Sequence, residues 1–301
     1  MATYDSLHVK NIALLGHAGS GKTTLAESML FEAGIIKRRG SIAARNTTSD
    51  YHELEIERQS SVFSSLLHTP WLDYKINIID TPGYDDFSGE VISALRVADT
   101  GVILLNAAMG VEVGTDVTWE YTDHFKTPTI FVVNQVDKEG ADFDKTLREA
   151  KSHFGNNVVA VQYPVQVGAS FDSIIDVLNM EMYQYPSEGG KPHCLPIPDS
   201  EKDKANQLHK ELVETIAAND EGLMEKYFEQ GELSEEDMKA GLHSSMIKHD
   251  IFPLFCVTAE KNMGSGRIMS FIDNVCPAPT EMPPQETTSG KSLPCDANGP
   301  A

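Results

Sequence analysis

The sequence feature that most constrains the fold is a glycine-rich octapeptide, GHAGSGKT at residues 16–23, set between an apolar segment and a helical pattern. Residues 12–15 have the composition of a buried parallel strand. Strand, loop and helix in this order are the context in which the pattern GxxxxGKS/T binds phosphate. The glycines allow a tight turn, so that successive N–H groups and the helix N-terminus face an anion. The chain is therefore predicted to hold a nucleoside triphosphate, with Lys22 on the terminal phosphates and Thr23 on Mg²⁺.

Alternating strand and helix patterns continue to residue 161 and predict a mostly parallel sheet. Two polar motifs directly follow strand patterns, DTPG at residues 80–83 and NQVD at residues 134–137. Polar groups at the carboxyl ends of successive strands lie where open α/β sheets bind ligands. These observations predict the α/β three-layer sandwich of P-loop NTPases. Strands are expected at residues 62–68, 75–79, 102–105, 129–133, 158–161 and 251–257, and helices at residues 91–97, 113–125, 142–154 and 268–275.

The alternation stops at about residue 164 and resumes near residue 251. Between these points a Gly- and Pro-rich stretch precedes three acidic helical patterns, near residues 201–218, 221–230 and 234–247. Residues 277–301 hold six prolines and no apolar period, as a linker does. We therefore predict a nucleotide-binding domain at residues 1–163 and 251–276, an acidic, α-rich insertion subdomain at residues 164–250, and a linker at residues 277–301 toward an absent second domain.

The charge composition disfavours a protein that binds nucleic acid. The 301 residues include 24 Lys and Arg against 45 Asp and Glu, a formal net charge of −21. Affinity for a phosphate backbone comes largely from Lys and Arg, so free nucleic acid is not an expected partner. The chain shows neither a signal-peptide pattern nor 18 consecutive apolar residues, so no membrane span is expected. The four cysteines form no CxxC pair, which favours a reduced, cytoplasmic protein without a zinc site.

Two polar regions each have two interpretations. Residues 41–61 contain few core-forming side chains, and they form either a solvated loop or a segment that folds over a ligand. The Glu and Lys residues of the three acidic helices form either solvated faces or an acidic docking surface for a basic partner.

Taken together, the three motifs at strand ends resemble the phosphate, magnesium and guanine elements of GTPases. Further stretches are similar to elongation factor G, the ribosomal translocase: DTPGYDDF, RVAD and GVEVGT between residues 80 and 115, and AANDEGLMEKYF at residues 217–228. The resemblance extends over about residues 8–285. It implies that residues 47–62 form switch I, that residues 257–259 form the second guanine loop, and that the chain is a nucleotide domain with its insertion.

The resemblance also implies roles for individual residues, with GTP or GDP and Mg²⁺ as cofactors. Asp80 would hold a water on Mg²⁺, the Gly83 N–H would meet the γ-phosphate, and Asp137 would accept two hydrogen bonds from the guanine edge. Charged hydrogen bonds of this kind contribute about 1.5–3 kcal/mol each. The implied metal ligands are Thr23, Ser61 and Asp80. The implied nucleotide contacts are His17, Ala18, Gly19, Ser20, Gly21, Lys22, Thr23, Thr24, Gly83, Asn134, Gln135, Asp137, Thr258 and Ala259.

The sequence departs from the family pattern in three places that concern hydrolysis. Gly19 stands where the family has an Asp that helps to hold a monovalent cation. Tyr84 stands where the family has the His that places the attacking water. A phenol forms hydrogen bonds but offers no cationic form, and loss of such a group costs on the order of 10²–10⁴ in rate. In switch I, Gln59 replaces a Gly, and Ser61 replaces the Mg²⁺-ligating Thr while keeping a hydroxyl.

Two further departures concern guanine binding. Gln135 replaces the Lys of NKxD, whose stem covers the base and whose amine braces the phosphate loop, and Thr258-Ala259 replaces Ser-Ala. The resemblance implies that this brace is lost. Because Asn134 and Asp137 are kept, affinity is expected to be weakened more than specificity.

Three functions are compatible with these residues. The first is the guanine-nucleotide domain of an elongation factor G-like translocase acting in translation elongation, with hydrolysis slow or absent because the catalytic positions Gly19, Gly83 and Tyr84 include two replaced groups. The second is a ribosome-stimulated GTPase in which Tyr84 takes the place of the His. The third is a ribosome-binding module with a vestigial nucleotide site. The expected partners are the ribosome, through its large-subunit GTPase centre and stalk proteins, and further domains of the same factor, and the chain is expected to be a monomer.

Overall fold

The structure, a computed structural model, describes residues 4–187 and 189–295. The strands are β1 (Val9–Leu15), β2 (Ser65–Trp71), β3 (Tyr74–Asp80), β4 (Thr100–Asn106), β5 (Thr129–Asn134), β6 (Val158–Ala160), β7 (Gln162–Pro164), β8 (Ser173–Asp176), β9 (Glu181–Gln184), β10 (His193–Leu195), β11 (Phe252–Cys256), β12 (Gln285–Glu286) and β13 (Ser292–Leu293). The helices are α1 (Lys22–Glu32), α2 (Glu53–Arg58), α3 (Ser88–Leu95), α4 (Val113–Phe125), α5 (Phe143–Phe154), α6 (Lys202–Ala218), α7 (Glu221–Gln230), α8 (Glu235–Ile247) and α9 (Ser265–Asn274).

A seven-stranded sheet in the order β2-β3-β1-β4-β5-β11-β6 forms the centre of the molecule. Only the pairing of β2 with β3 is antiparallel in this sheet; the other five pairings are parallel. Every residue of β5 is buried, as is all of β4 before Asn106, because helices cover both faces of a parallel sheet. The predicted α/β P-loop sandwich is confirmed. The central strands were predictable because continuous apolar runs are typical of such sheets.

The helical patterns in the sequence agree closely with the observed helices. Helix α4 begins and ends at the predicted residues, and α6, α7 and α8 follow the three acidic patterns of the insertion. Helix α8 begins after Ser234, whose hydroxyl accepts a hydrogen bond from the Asp237 N–H at 3.1 Å. A side chain that satisfies one of the free N–H groups of the first turn stabilises a helix start.

The structure contains a second sheet that the sequence patterns did not indicate, and its strand β7 begins at Gln162, before the predicted start of the insertion at residue 164. Strands β7, β8, β9 and β10 form an antiparallel sheet in the order β10-β9-β8-β7 beside the three acidic helices. Each strand has only three or four residues, which is too short for a period of two to be recognised. A second short antiparallel pair, β12 with β13, lies within the predicted linker. Of the helices described, none has the length and apolar character needed to cross a membrane.

Candidate nucleotide-binding site

The phosphate loop connects β1 to α1 and has the backbone that its glycines permit. Gly16, Gly19 and Gly21 have φ values of 124°, 84° and 96°, a region that side chains other than glycine rarely adopt. A Cβ on Gly16 would lie 2.5 Å from the Leu104 carbonyl oxygen. Gly21 at the N-cap of α1 carries no capping side chain. The N–H groups of the first turn of α1 are therefore available to an anion.

Lys22 and Gly83 meet beside this loop. The Lys22 ammonium is buried and donates hydrogen bonds to the carbonyls of Gly16 at 2.8 Å and His17 at 3.0 Å. A Cβ on Gly83 would lie 2.7 Å from the Ala18 nitrogen and would also collide with the Lys22 ammonium. Gly83 is thus packed so closely on the phosphate loop that only glycine fits at this position. The contact of the Gly83 N–H with a γ-phosphate stays a prediction.

The three predicted metal ligands lie together. The Thr23 and Ser61 hydroxyl oxygens are 3.3 Å apart, and Ser61 donates a hydrogen bond to the Asp50 carboxylate at 2.7 Å. Asp80 is 1% exposed and lies beside the Thr23 and Ser49 hydroxyls, yet neither of its carboxylate oxygens has a hydrogen-bond partner within the described chain. Burial raises the pKa of Asp80 to about 6. An unpaired buried carboxylate beside two hydroxyls fits Mg²⁺, which binds oxygen ligands.

Asp50 was not among the predicted site residues. It is buried, and its desolvation raises the pKa of its carboxyl group above the usual range. Its contact with Ser61 places the switch I hydroxyl against the phosphate loop. The sequence offered no signal for this role, because an Asp within a polar stretch is usually solvated. Ile42, Gln59 and Ser60 also line the cavity beside the phosphate loop, so parts of residues 41–61 face the site.

The predicted guanine residues form a second cluster at the ends of β5 and β11. Asn134 donates a hydrogen bond to the Ser20 carbonyl at 2.8 Å and accepts one from the Ala259 N–H at 3.0 Å. The buried Asp137 carboxylate accepts a hydrogen bond from the Thr258 hydroxyl at 2.6 Å, and the Lys261 ammonium lies 3.2 Å from its other oxygen. Asn134 therefore ties the phosphate loop to the second loop, and Thr258 and Lys261 hold the Asp137 carboxylate. The contact of Asp137 with a base stays a prediction.

Known proteins are similar to this chain over most of its length. A family model described as the elongation factor Tu GTP-binding domain matches residues 7–278. The chain belongs to this family. A crystal structure of a protein from Thermus thermophilus is similar, with a TM-score of 0.86 and 30% identity, and the match covers 92% of this chain and 42% of the Thermus chain. This GTPase domain, of the translational type, spans less than half the length of that protein.

Gln135 of the GTPase domain corrects one expectation. Its side-chain amide donates a hydrogen bond to the Gly19 carbonyl at 2.9 Å, and its oxygen accepts one from Asn106 at 3.1 Å. The phosphate loop is therefore braced by this side chain, and the expected loss of the brace is wrong. The backbone of Gln135 adopts φ 64°, in the left-handed region. The positive charge of a lysine is still missing at this position.

A cavity of about 280 Å³ lies between the phosphate loop, switch I and the DTPG motif. Tyr84 borders it and is 51% exposed. Gly19 also borders it, and a Cβ on Gly19 would have no atom within 4 Å. The two positions at which the sequence departs from the family's hydrolytic groups thus face the same space. The remaining residues that line this space are Ala18, Gly21, Lys22, Thr23, Thr24, Ile42, Gln59, Ser60, Ser61, Gly83 and Gln135.

The affinity for GDP is expected to fall above pH 8. Burial lowers the pKa of Lys22 to about 8, whereas bound phosphates favour its charged form. Lys22 is mostly charged below pH 8 and mostly neutral above pH 8. At the higher pH, Lys22 must therefore take up a proton when the phosphates bind. The dissociation constant of GDP, measured by calorimetry, should therefore rise about fivefold between pH 8 and pH 9 and change little between pH 6.5 and pH 7.5. Lys22→Arg, which stays charged, should lack this dependence. An equal pH dependence in both proteins would contradict the prediction.

Proposed function

We propose that this chain is the guanine-nucleotide domain of an elongation factor G-like ribosomal translocase that binds GTP and GDP with Mg²⁺ but hydrolyses GTP slowly or not at all. One observation carries this proposal. The residues that would hold the metal lie close to one another, as do those that would hold the base. Gly19 and Tyr84, which stand at the positions of the family's hydrolytic groups, line the cavity beside them.

Binding is supported by the chemistry of the three clusters. Lys22 and the first turn of α1 offer positive charge and N–H donors to the phosphates. Thr23, Ser61 and Asp80 would hold Mg²⁺, which when bound neutralises phosphate charge. Asp137, already oriented by Thr258, would accept from the guanine edge. These contacts argue against a vestigial site.

Slow hydrolysis is supported by the groups that face the cavity. Catalysis of phosphoryl transfer depends on positioning a water and on stabilising developing charge. Gly19 brings no carboxylate for a cation, and the Tyr84 phenol offers no cationic form. A second candidate function, ribosome-stimulated hydrolysis with Tyr84 placing the water, is favoured by the exposure of Tyr84 at the cavity edge.

Two measurements test the proposal on the 301-residue chain. Calorimetry with GDP and with a non-hydrolysable GTP analogue should give micromolar or tighter dissociation constants, and no binding of either would favour the vestigial module. Single-turnover GTP hydrolysis, with and without ribosomes, should remain slow in both cases. A large acceleration by ribosomes would replace the first candidate by the second. The same experiment on a longer chain that includes further domains would extend the result to the whole factor.

We propose that the acidic helices α6, α7 and α8 face the stalk proteins of the ribosome. Glu211 is unsuitable for a test because it pairs with Lys151 of α5 and so helps to hold α6 in place. Glu214 and Glu225 are exposed on α6 and α7. Reversing both charges to Lys should weaken ribosome association about fivefold to tenfold at low salt and less at physiological salt.

The matched control for this charge reversal is Asp73→Lys, on the exposed turn between β2 and β3. This single charge reversal changes the net charge half as much as the double variant does, at a position outside the acidic helices. Association is measured by co-sedimentation with ribosomes at two salt concentrations. If the control variant weakens association as much per charge as the double variant, net charge rather than the acidic helices governs binding.

A further inference from the structure

A basic loop follows α1 in a chain that is otherwise strongly acidic. Residues 37–46, which we call the basic loop, read KRRGSIAARN and hold four cations and no acid. No Asp or Glu occurs anywhere between residues 33 and 49, although the whole chain has 45 acidic residues and a formal net charge of −21. The charge of the basic loop is thus opposite to that of the chain around it, as expected of a contact for an anionic partner.

Hydrogen bonds hold the basic loop in a defined shape. One of its cations, Arg39, donates to the carbonyls of Ala259 at 3.0 Å and Glu260 at 2.6 Å, which anchors the loop on the domain. Within the loop, the Ser41 N–H donates to the side-chain oxygen of Asn46 at 2.9 Å. A loop that is already ordered loses little conformational freedom when a partner binds, so more of the contact energy appears as affinity.

The other three cations of the basic loop have no internal partner. Lys37, Arg38 and Arg45 are exposed, and among the residues that the structure describes none of them forms an ion pair or a side-chain hydrogen bond. Cations of the acidic helices behave differently, since they pair with nearby carboxylates, as Lys226 does with Asp237 at 2.6 Å. The positive charge of the basic loop is therefore not neutralised by these residues.

The acids beside the basic loop are already engaged. A cavity of about 380 Å³ is lined by three cations of the loop and by two acids. One of these acids, Glu27, is buried and accepts hydrogen bonds from the N–H groups of Gly40, at 2.6 Å, and Thr48. Glu55, further along the chain, is buried in the same way and accepts from two backbone N–H groups. The other acid of the cavity, Glu260, forms an ion pair of 2.5 Å with a lysine outside the loop. These carboxylates leave the exposed cations for a ligand from outside.

We propose that the basic loop binds the phosphate backbone of RNA through Lys37, Arg38 and Arg45. This inference rests on the proposed function, which brings the chain to the ribosome, and adds the place at which the chain would meet ribosomal RNA. Phosphate oxygens are bound by Lys and Arg together with small polar side chains, and Ser41 and Asn46 are exposed in the same loop. The acidic remainder of the chain would repel RNA, which confines the contact to this loop.

The composition of the basic loop favours RNA over an acidic protein as the partner. Protein interfaces are centred on aromatic or other large side chains that are buried on binding. The basic loop exposes no large apolar side chain. Its exposed residues are cations, small polar residues and alanines, and the small side chains let a phosphate backbone approach closely.

Co-sedimentation with ribosomes over a range of salt concentrations tests the proposal on the 301-residue chain. The loop variant combines Lys37→Gln, Arg38→Gln and Arg45→Gln. Each lost phosphate contact lowers the slope of the logarithm of the association constant against the logarithm of salt concentration by about one unit. The loop variant should therefore lose about two to three units of slope and about tenfold or more in affinity at low salt. Arg38→Gln alone should lose about one unit.

The matched control variant combines Arg148→Gln, Lys248→Gln and Lys291→Gln, at three exposed cations outside the basic loop. It has the same formal net charge as the loop variant and should keep the slope and affinity of the unmodified chain. Both variants should keep its thermal unfolding midpoint, because the substituted residues are exposed; if the loop variant does not fold, Arg38→Gln decides. Equal slopes and affinities in the loop and control variants would overturn the inference. No association of the unmodified chain with ribosomes would overturn the proposed function itself and the inference with it.

Crosslinking identifies the partner. A photoreactive diazirine amino acid in place of Ala43, an exposed residue of the basic loop, is activated on the ribosome. The crosslinked species should be degraded by ribonuclease, which shows that the loop lies against RNA. A crosslink to ribosomal protein alone would overturn the assignment to RNA.

Discussion

Asp137→Ala is expected to lower the affinity of the chain for GDP by about two to four orders of magnitude. The Asp137 carboxylate would accept two hydrogen bonds from the guanine edge, and charged hydrogen bonds contribute about 1.5–3 kcal/mol each. The carboxylate is buried and already oriented by Thr258, so little of this energy is spent on ordering it. Calorimetry with GDP and with ADP measures the affinity for GDP and the preference for guanine over adenine. The Asp137→Ala variant should lose most of that affinity and that preference.

The control for Asp137→Ala is Glu260→Ala. Glu260 is an exposed acid that pairs with Lys138 at 2.5 Å near the same loop, so its removal changes the local charge by the same amount. It should alter the affinity for GDP by less than about threefold, because exposed ion pairs contribute little. If Asp137→Ala binds GDP as tightly as Glu260→Ala does, the base does not bind at Asp137.

The inner strands of the central sheet could be predicted from sequence because runs such as those of β4 and β5 are continuously apolar, which is typical of strands covered on both faces. The edge strand β2 (Ser65–Trp71) is more polar, and it begins and ends three residues later than expected. Most helices could be predicted because their apolar side chains recur at helical spacing, whereas α2 (Glu53–Arg58) lies in a polar stretch for which no helix was expected. The second sheet could not be predicted, since three-residue strands such as β7 and β10 carry no measurable period. These strands depend on pairing with one another and not on local sequence.

The candidate site was predictable where its residues end a strand. Asp80 and Asn134 follow apolar runs, and parallel strands bring their carboxyl ends to one edge of the sheet. The carboxylates that hold switch I were not predictable. Glu27 and Glu55 are buried. The sequence alone does not distinguish a buried Glu that accepts hydrogen bonds from backbone N–H groups from a Glu on the surface. The contact between Gln135 and the phosphate loop was missed because Gln was compared with the family's Lys by residue type alone. The length of the Gln side chain is enough for its amide to reach the Gly19 carbonyl.

Tyr84→His is expected to raise the rate of single-turnover GTP hydrolysis by on the order of 10²-fold in the presence of ribosomes, because it restores a group that can place and deprotonate water. The substitution fits the structure. Tyr84 is exposed at the cavity edge with extended backbone, and an imidazole is smaller than a phenol. Adding Gly19→Asp should raise the rate further, since a Cβ at Gly19 meets no atom within 4 Å, although φ 84° strains any side chain there.

Tyr84→Phe, which removes only the hydroxyl, separates the two candidate functions. If the phenol takes no part in hydrolysis, Tyr84→Phe should leave the slow rate unchanged while Tyr84→His raises it. If Tyr84 itself places the water, Tyr84→Phe should lower a substantial ribosome-stimulated rate by about 10²-fold or more, and Tyr84→His should add little. The affinity for GDP should be the same in all three proteins, because Tyr84 lies outside the phosphate, metal and base clusters that would bind the nucleotide. A change in rate with constant affinity therefore assigns the effect to the hydrolytic step and not to loss of the site.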